Sequence, residues 1–195
     1  MNLLHNSHSG KCKADELATS EDFCKLFTED MTRLYLLSFV LTASHAKAEQ
    51  CFVAGLEDCV NGNPPFKDWA RSWAERTIFK NAIRIMAPHP THASGTFAQV
   101  HPEEDGRHHW PVCDQPAAIA SVLALGDFDR FVFVMSVLEG YTEKECSVLL
   151  VCSQQDVHEA RMRAPQQIAE YMKHDGAGQG DSIESSSRSP EMLVH

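Results

Sequence analysis

The sequence lacks the marks of several common protein classes. Its mainly apolar runs, such as Leu34 to Leu41, are far shorter than the ~20 residues that a helix needs to cross a bilayer, so membrane insertion is not expected. The first 20 residues hold no basic–apolar–small pattern of a secretory signal, and we expect a cytoplasmic location. The seven cysteines form no C-x-x-C pair and are odd in number, which favours reduced thiols over a disulfide framework.

Basic residues and catalytic motifs are also scarce. The 17 Lys and Arg residues are outnumbered by 27 Asp and Glu residues, and the resulting net charge of −10 is unfavourable for binding nucleic acid. No Ser–His–Asp grouping, Gly-rich phosphate loop or carboxylate pair stands out, so we expect neither an enzyme nor a bound cofactor. The hydrophobic fraction of 43% is nevertheless sufficient for packed cores.

Apolar residues at three- to four-residue steps predict three helices in the first half of the chain. The first starts at Ser20, as its N-cap, and continues to about Leu41; the others span about His45–Val60 and Phe66–Met86. Residues 1–19 are predicted to be a flexible leader. Together the three helices predict a small helical domain over residues 20–86.

Residues 87–116 change character, with five prolines, five histidines and no sustained period. A stretch of this length without periodicity predicts a linker between two domains. Zinc is an alternative use of its side chains, since His and Cys are suitable ligands. Because none of them has zinc-finger spacing, the residues favour a solvated linker and no metal site. The candidate ligands are His89, His92, His101, His108, His109 and Cys113.

Helical periodicity resumes over residues 117–173. The segment "DFDRFVFVMSVLEG" is rich enough in β-branched residues for a strand, but its acidic start and Gly140 at its end favour a helix. Residues 174–195 are rich in Gly and Ser and are predicted to be disordered. The predicted fold is therefore all-α, with two small helical domains joined by a linker.

The segment Thr142–Ala164 has the spacing of a helix-turn-helix. Thr142 with Glu145 forms a T-x-x-E capping box, and Ser153 is placed to cap the second helix. Apolar positions would form the inner corner: Cys146, Leu149, Leu150, Val157 and Ala160. Long polar side chains would face outward, where Gln can pair with adenine and Arg with guanine or phosphate. These candidates are Gln154, Gln155, His158, Arg161 and Arg163. Any two short antiparallel helices would give the same pattern.

Three segments, from two parts of the chain, resemble bacterial RNA polymerase sigma factors of the extracytoplasmic-function group. "DRFVFVMSVLEGYTEKECSVLLVCSQQDVHEARMRA" is similar to region four, which reads an upstream promoter element. "LYLLSFVLTASHAKAEQ" and "FKDWARSWAERTIFKNAI" are similar to the opening and the third helix of region two. The resemblances occur in the family's order, and the two predicted domains that contain them cover about two thirds of the chain.

The resemblance implies a transcription initiation factor that binds RNA polymerase core and promoter DNA. It implies that region two contacts polymerase through its second helix, where the candidates are Glu49, Gln50, Val53 and Glu57. It implies that the third helix contacts and melts promoter DNA, where the candidates are Trp73, Arg76, Lys80 and Arg84. For Trp69 and Trp73, which could stack on unpaired bases, the helical spacing favours the alternative that both fill the core. This helix carries five basic and two acidic residues, a net charge of +3. An anti-sigma factor is a further type of partner that the resemblance admits.

Several residues depart from the family pattern and leave an alternative open. "QCFVAGL" replaces the family's acidic, Gln-containing run on the second helix, and the recognition helix carries His158, Glu159 and Ala160. Pro165 is expected to stop or kink that helix. Residues 117–175 hold five basic and nine acidic residues, a net charge of −4. The alternative is a sigma-derived adaptor or decoy that binds polymerase or a regulator without reading promoters.

Overall fold

The computed structural model describes residues 17–90 and 116–177, and their regular structure is helical apart from one isolated β-bridge. The described chain is therefore all-α, as predicted. It divides into two compact units between Pro88 and His89. The leader up to residue 16, the linker residues 91–115 and the tail from residue 178 lie outside the described residues. No helix in the described ranges is long and apolar enough to cross a membrane.

Within residues 17–88, the first unit forms four α-helices. They are α1 (Ser20–Glu29), α2 (Met31–Thr42), α3 (His45–Asn61) and α4 (Ala70–Met86), and a 3₁₀ turn, Lys67–Trp69, leads into α4. Helix α3 packs against the other three, and α2 also contacts α4. The core between them contains mainly apolar side chains, among them Phe23, Phe27, Leu34, Leu41, Ile78 and Phe79. Burial of this apolar area is the main stabilising contribution to the unit.

The predicted first helix is two helices, so the prediction of a single one was wrong. The break falls at Asp30, whose φ of −100° and ψ of 17° place its backbone outside the helical region. Asp is a poor helix former, and the carboxylate of Asp30 pairs with Arg71 Nη1 of α4 at 2.7 Å. Helical periodicity in the sequence does not reveal this break, because the break depends partly on Arg71, which lies far along the chain.

Residues 17–19, which precede α1, also contact the rest of the first unit. Leu17 forms the β-bridge with Phe66, and the Ala18 N–H donates to the Pro65 carbonyl at 2.8 Å. The N-cap of α1 is Thr19, one residue earlier than predicted, because Thr19 and Asp22 form a reciprocal capping box. Hydrogen bonds from the backbone and side chain of Thr19 lower the pKa of the Asp22 carboxyl.

Helices α3 and α4 approach closely at Gly55, which lies on the predicted inner face of α3. A Cβ at this position would lie 2.6 Å from Ile78 Cδ1, closer than real contacts allow. The glycine therefore permits the spacing at which Ala48, Cys51 and Cys59 are also buried. Burial raises the pKa of the Cys51 thiol to about 11, which makes this thiol unreactive near neutral pH.

Within residues 116–177, the second unit also forms four α-helices, and the last of them contacts the other three. They are α5 (Pro116–Leu123), α6 (Asp127–Phe133), α7 (Glu143–Leu150) and α8 (Gln154–Ala177). The last turn of α6 widens into a π-helix, Val134–Leu138, so the segment is helical rather than a strand. Gly140 follows with a φ of 73°, as its predicted position after a helix end requires.

Helix α8 continues through Pro165, contrary to the expectation that this residue stops it, and extends to Ala177. Residues 174–177, which were predicted to belong to a disordered tail, are therefore helical. Pro165 is exposed and cannot donate a backbone hydrogen bond. Because α8 packs against α5 and α6 and buries Ala164, tertiary contacts offset that loss.

Three helices end at left-handed residues that are not glycine. Ala43, Ala87 and Val151 follow α2, α4 and α7 with φ values of 52°, 44° and 52°. Val151 is the most strained of the three, because a β-branched side chain crowds the backbone in this region. Its side chain is 90% exposed, so no packing compensates for the strain.

Replacing Val151 with glycine is expected to stabilise the second unit by about 0.5–1 kcal/mol, since glycine adopts positive φ without strain. Thermal unfolding followed by circular dichroism measures the change as a higher Tm. Val151→Ala is the matched control, because it keeps Cβ and removes only the branching, and it should give a smaller gain. A Val151→Gly chain with an unchanged or lower Tm would show that the turn is not strained.

Candidate nucleic-acid interface

One exposed face of α4 carries two tryptophans followed by three cations. The positions are spaced by three or four residues, so they lie along one side of the helix. We call this face the α4 stripe; its residues are Trp69, Trp73, Arg76, Lys80 and Arg84, all of them exposed. At 1.5 Å per residue the stripe is about 22 Å long. The structure thus brings together four predicted DNA-binding residues and adds Trp69.

The aromatic end of the stripe is open to solvent. Trp69 is 62% exposed and Trp73 is 38% exposed, so the interpretation of both as core residues was wrong. Phe66 is 46% exposed and its ring packs edge-on against Trp69, with centroids 5.4 Å apart. The spacing of Trp69 and Trp73 is helical, but no other helix among residues 17–88 covers their face of α4. Flat exposed aromatic faces are suitable for stacking on unpaired bases.

Acidic residues of the neighbouring helices neutralise much of the positive charge of α4. Lys67 lies 3.5 Å from Asp22, Arg71 2.7 Å from Asp30, and Lys80 3.7 Å from Asp58. Among the described residues, Arg76 and Arg84 make no ion pair. Arg76 is therefore the cation of the stripe with the fewest competing contacts for a phosphate.

A buried amide anchors the basic end of the stripe. Asn81 is fully buried, and its Nδ2 donates to Asp58 Oδ2 at 3.1 Å and to the Thr77 carbonyl at 2.9 Å. Its Oδ1 accepts a hydrogen bond from Arg84 Nη2. These bonds connect α3 to α4 and restrain the side chain of Arg84. Because this side chain is already ordered in the free chain, binding a ligand there would cost less conformational entropy.

The predicted polymerase contacts share one face of α3. Glu49, Gln50, Val53 and Glu57 are all exposed, at spacings that place them along the same side of the helix. Val53 is 47% exposed and gives this acidic and amide face an apolar centre. This face is therefore polar, with one exposed apolar side chain among the four.

In the second unit, α7 and α8 are joined by the turn Val151–Ser153 and are both capped as predicted. Thr142 and Glu145 form the capping box of α7. Ser153 Oγ accepts from the Asp156 N–H at 3.1 Å, while the Asp156 carboxylate accepts from the Ser153 N–H at 3.1 Å. The predicted inner corner is buried at Cys146, Leu150, Val157 and Ala160, and Leu149 is half-buried.

Four of the five predicted DNA-reading residues are exposed on the first turns of α8: Gln154, Gln155, His158 and Arg161. Most of them already contact a carboxylate. Gln155 Nε2 donates to Glu159 Oε1 at 2.9 Å. His158 Nδ1 and Arg161 Nη1 lie 3.1 and 3.5 Å from Glu143 Oε1 on α7.

Arg163, the fifth predicted residue, is turned toward the protein. Its Nε and Nη2 donate to the two oxygens of Asp129 at 2.8 and 2.7 Å, and Asp129 is almost fully buried. Hydrogen bonding to Asp129 raises the pKa of Arg163 further. This bidentate pair connects α8 to α6. The geometry favours a structural role for Arg163 over the DNA contact that the sequence suggested.

No metal-binding arrangement is present in residues 17–90 and 116–177, where no three His, Cys, Asp or Glu side chains are placed to hold an ion. Of the histidines considered as zinc ligands, His89 is exposed, and the others lie outside the described residues together with Cys113.

Comparison of the chain with protein-family models, with curated proteins and with solved structures finds no match.

Proposed function

We propose that this chain is a sigma-like transcription initiation factor, which binds RNA polymerase core and directs it to promoter DNA. The α4 stripe is the observation that carries the proposal. A folded protein gains nothing from exposing Trp69, Trp73 and Phe66 together, and exposed aromatic patches mark binding surfaces. In this segment, which resembles the third helix of region two, stacking on bases with phosphate contacts at Arg76 would hold a melted strand.

The exposed face of α3 supports the polymerase part of the proposal. Its residues Glu49, Gln50, Val53 and Glu57 lie at the positions that the resemblance implies for polymerase contact. Three are polar and one is apolar, so a mixed interface would bury Val53 at its centre. The polymerase would then supply the affinity that an acidic chain lacks for DNA on its own.

The capped pair α7 and α8 supports a second DNA contact. Gln154, Gln155, His158 and Arg161 face outward at the start of α8, where a recognition helix meets base edges. An amide can pair with adenine, and Arg161 can reach guanine or phosphate.

The alternative of an adaptor or decoy also has a specific observation in its favour. Several cations that would otherwise face DNA form ion pairs with carboxylates within the protein, among them Lys80 on α4 and Arg161 on α8. A surface neutralised in this way binds phosphate weakly. On this alternative the α3 face still binds polymerase, but the chain does not select promoters.

Capture of purified RNA polymerase core by the immobilised full chain tests the polymerase part of the proposal. Val53→Asp should weaken capture at least about tenfold, because it places a charge at the apolar centre of the α3 face. Met31→Asp is the matched control, since Met31 is an equally exposed apolar residue on α2, and it should leave capture unchanged. Equal capture by both variants would remove α3 from the interface.

Run-off transcription from genomic fragments with the captured complex separates the two functions. Discrete transcripts that depend on the added chain would establish an initiation factor. Capture of core without such transcripts would favour the adaptor, and absence of capture would overturn both.

A further inference from the structure

Glu143, in the first turn of α7, contacts two of the DNA-binding candidates of α8, His158 and Arg161, with one oxygen. Its Oε1 lies 3.1 Å from His158 Nδ1 and 3.5 Å from Arg161 Nη1. All three side chains are partly exposed, at 34% for Glu143, 54% for His158 and 46% for Arg161. The cluster therefore lies at the surface that would face DNA.

The backbone around Glu143 holds this carboxylate in place. The adjacent capping box of Thr142 and Glu145 sets the first turn of α7. Buried Cys146 and Val157 pack the inner faces of α7 and α8, so Glu143 lies across from His158 and Arg161. The contact is thus built by tertiary packing and joins residues that are 15 and 18 positions apart.

We propose that Glu143 competes with DNA for His158 and Arg161. Its carboxylate contacts both side chains and thereby lowers the affinity of the second unit for duplex DNA. The inference rests on the proposed function, since it assumes that this face of α8 meets DNA. A phosphate or base edge that approaches Arg161 must displace Glu143 and is repelled by it. Free chain would then bind DNA poorly, and binding would depend on a partner that supplies additional affinity.

Glu159 acts in the same direction on the neighbouring side chain. It accepts a hydrogen bond from the Gln155 amide at 2.9 Å, so a base-reading group is also engaged within the protein. This bond uses only the amide nitrogen of Gln155 and leaves its amide oxygen to accept a hydrogen bond from a base. Glu143, in contrast, neutralises the full positive charge of Arg161. Glu143 is therefore the carboxylate whose removal should release the most DNA affinity.

Fluorescence anisotropy of a labelled 20-base-pair duplex of mixed sequence, titrated with the full chain at about 0.1 M salt, tests the inference. Glu143→Gln should bind about 3- to 10-fold more tightly than the unchanged chain. Glu170→Gln is the matched control, because it removes the same charge from an exposed site about 14 Å further along α8 than Arg161. It should change the affinity less than twofold. Equal affinities for the two variants would overturn the inference.

A second substitution tests whether Arg161 is the cation with which Glu143 pairs. In an Arg161→Ala background, Glu143→Gln should give a clearly smaller gain, because the group it releases is missing. An undiminished gain would show that Glu143 acts only through net charge. Circular dichroism of each variant should be unchanged, since the cluster is half-exposed.

Failure of the inference is separable from failure of the proposed function. If Glu143→Gln binds duplex DNA no better than its control while core capture and transcription succeed, the inference alone fails. If Glu143→Gln gains affinity while core capture fails, the DNA competitor stands and the polymerase role falls. No duplex binding by any variant overturns the inference, whatever the outcome of core capture.

Discussion

Replacing Arg130 with methionine is expected to lower the free energy of unfolding of the second unit by about 2–5 kcal/mol. Arg130 is 1% exposed, and its Nη1 donates to the carbonyl oxygens of Leu123 and Leu125 at 3.5 and 2.8 Å. Its Nη2 donates to Asp127 at 2.5 Å. Methionine fills a similar volume but leaves both carbonyls without this donor, at about 1–3 kcal/mol for each.

Burial lowers the pKa of Arg130 and the neighbouring Asp127 opposes that effect, so the guanidinium stays charged in the folded unit. Because Leu123 is the last residue of α5, the side chain also caps the carboxyl end of that helix. Loss of Arg130 should therefore loosen α5 before the rest of the unit.

Hydrogen exchange measured by mass spectrometry on the full chain can locate this effect. Peptides from α5 and α6 of Arg130→Met should exchange faster by a factor of about 30 or more, while peptides from α3 and α4 should be unchanged. Arg130→Lys is the control, because it keeps one charged donor. Its exchange rates should lie between those of the unchanged chain and those of Arg130→Met. Protection of α5 equal to that of the unchanged chain would contradict the assignment of Arg130 as its cap.

Replacing Trp69 and Trp73 together with alanine is expected to weaken binding of single-stranded DNA at least about 30-fold. Each base stacked on an aromatic side chain is worth roughly 1–3 kcal/mol, and the double substitution removes two stacking surfaces. Both rings are exposed, at 62% and 38%, so their loss creates no large cavity in the core. The fold should therefore persist while the surface is lost.

Anisotropy of a labelled single-stranded oligonucleotide, with the full chain or its complex with polymerase core, gives the affinity. Trp69→Phe/Trp73→Phe is the matched control, because phenylalanine keeps an aromatic face and should retain most of the binding. Arg76→Ala should cause a smaller loss that shrinks as salt is raised, since it removes one phosphate contact. An alanine variant that binds like the unchanged chain would remove the aromatic rings from the interface.

Local sequence signals predicted the helices and their caps well. The T-x-x-E pattern at Thr142 and Glu145 is a capping box in the structure, and Gly140 adopts positive φ as predicted. These features depend on residues within one turn of each other, so a single sequence contains the information. The alternation of apolar positions likewise identified the buried faces at Cys51 and Val157.

The predictions that failed depend on contacts between distant segments. The break at Asp30 accompanies its pairing with Arg71, and the continuation of α8 beyond Pro165 accompanies packing against α5 and α6. The exposure of Trp69 was missed because helical spacing shows that two residues share a face but does not show whether another helix covers it.

By itself, the sequence determined the all-α class of the described residues, the positions of most helices and the residues that share each face. Hydrophobic periodicity and capping are local, and both can be read along the chain. The tertiary structure alone decided which faces are open and which charges are already paired. Arg163 binds Asp129 and Glu143 binds Arg161 because α8 packs against α6 and α7, and these pairings set how much of the basic surface remains for a ligand.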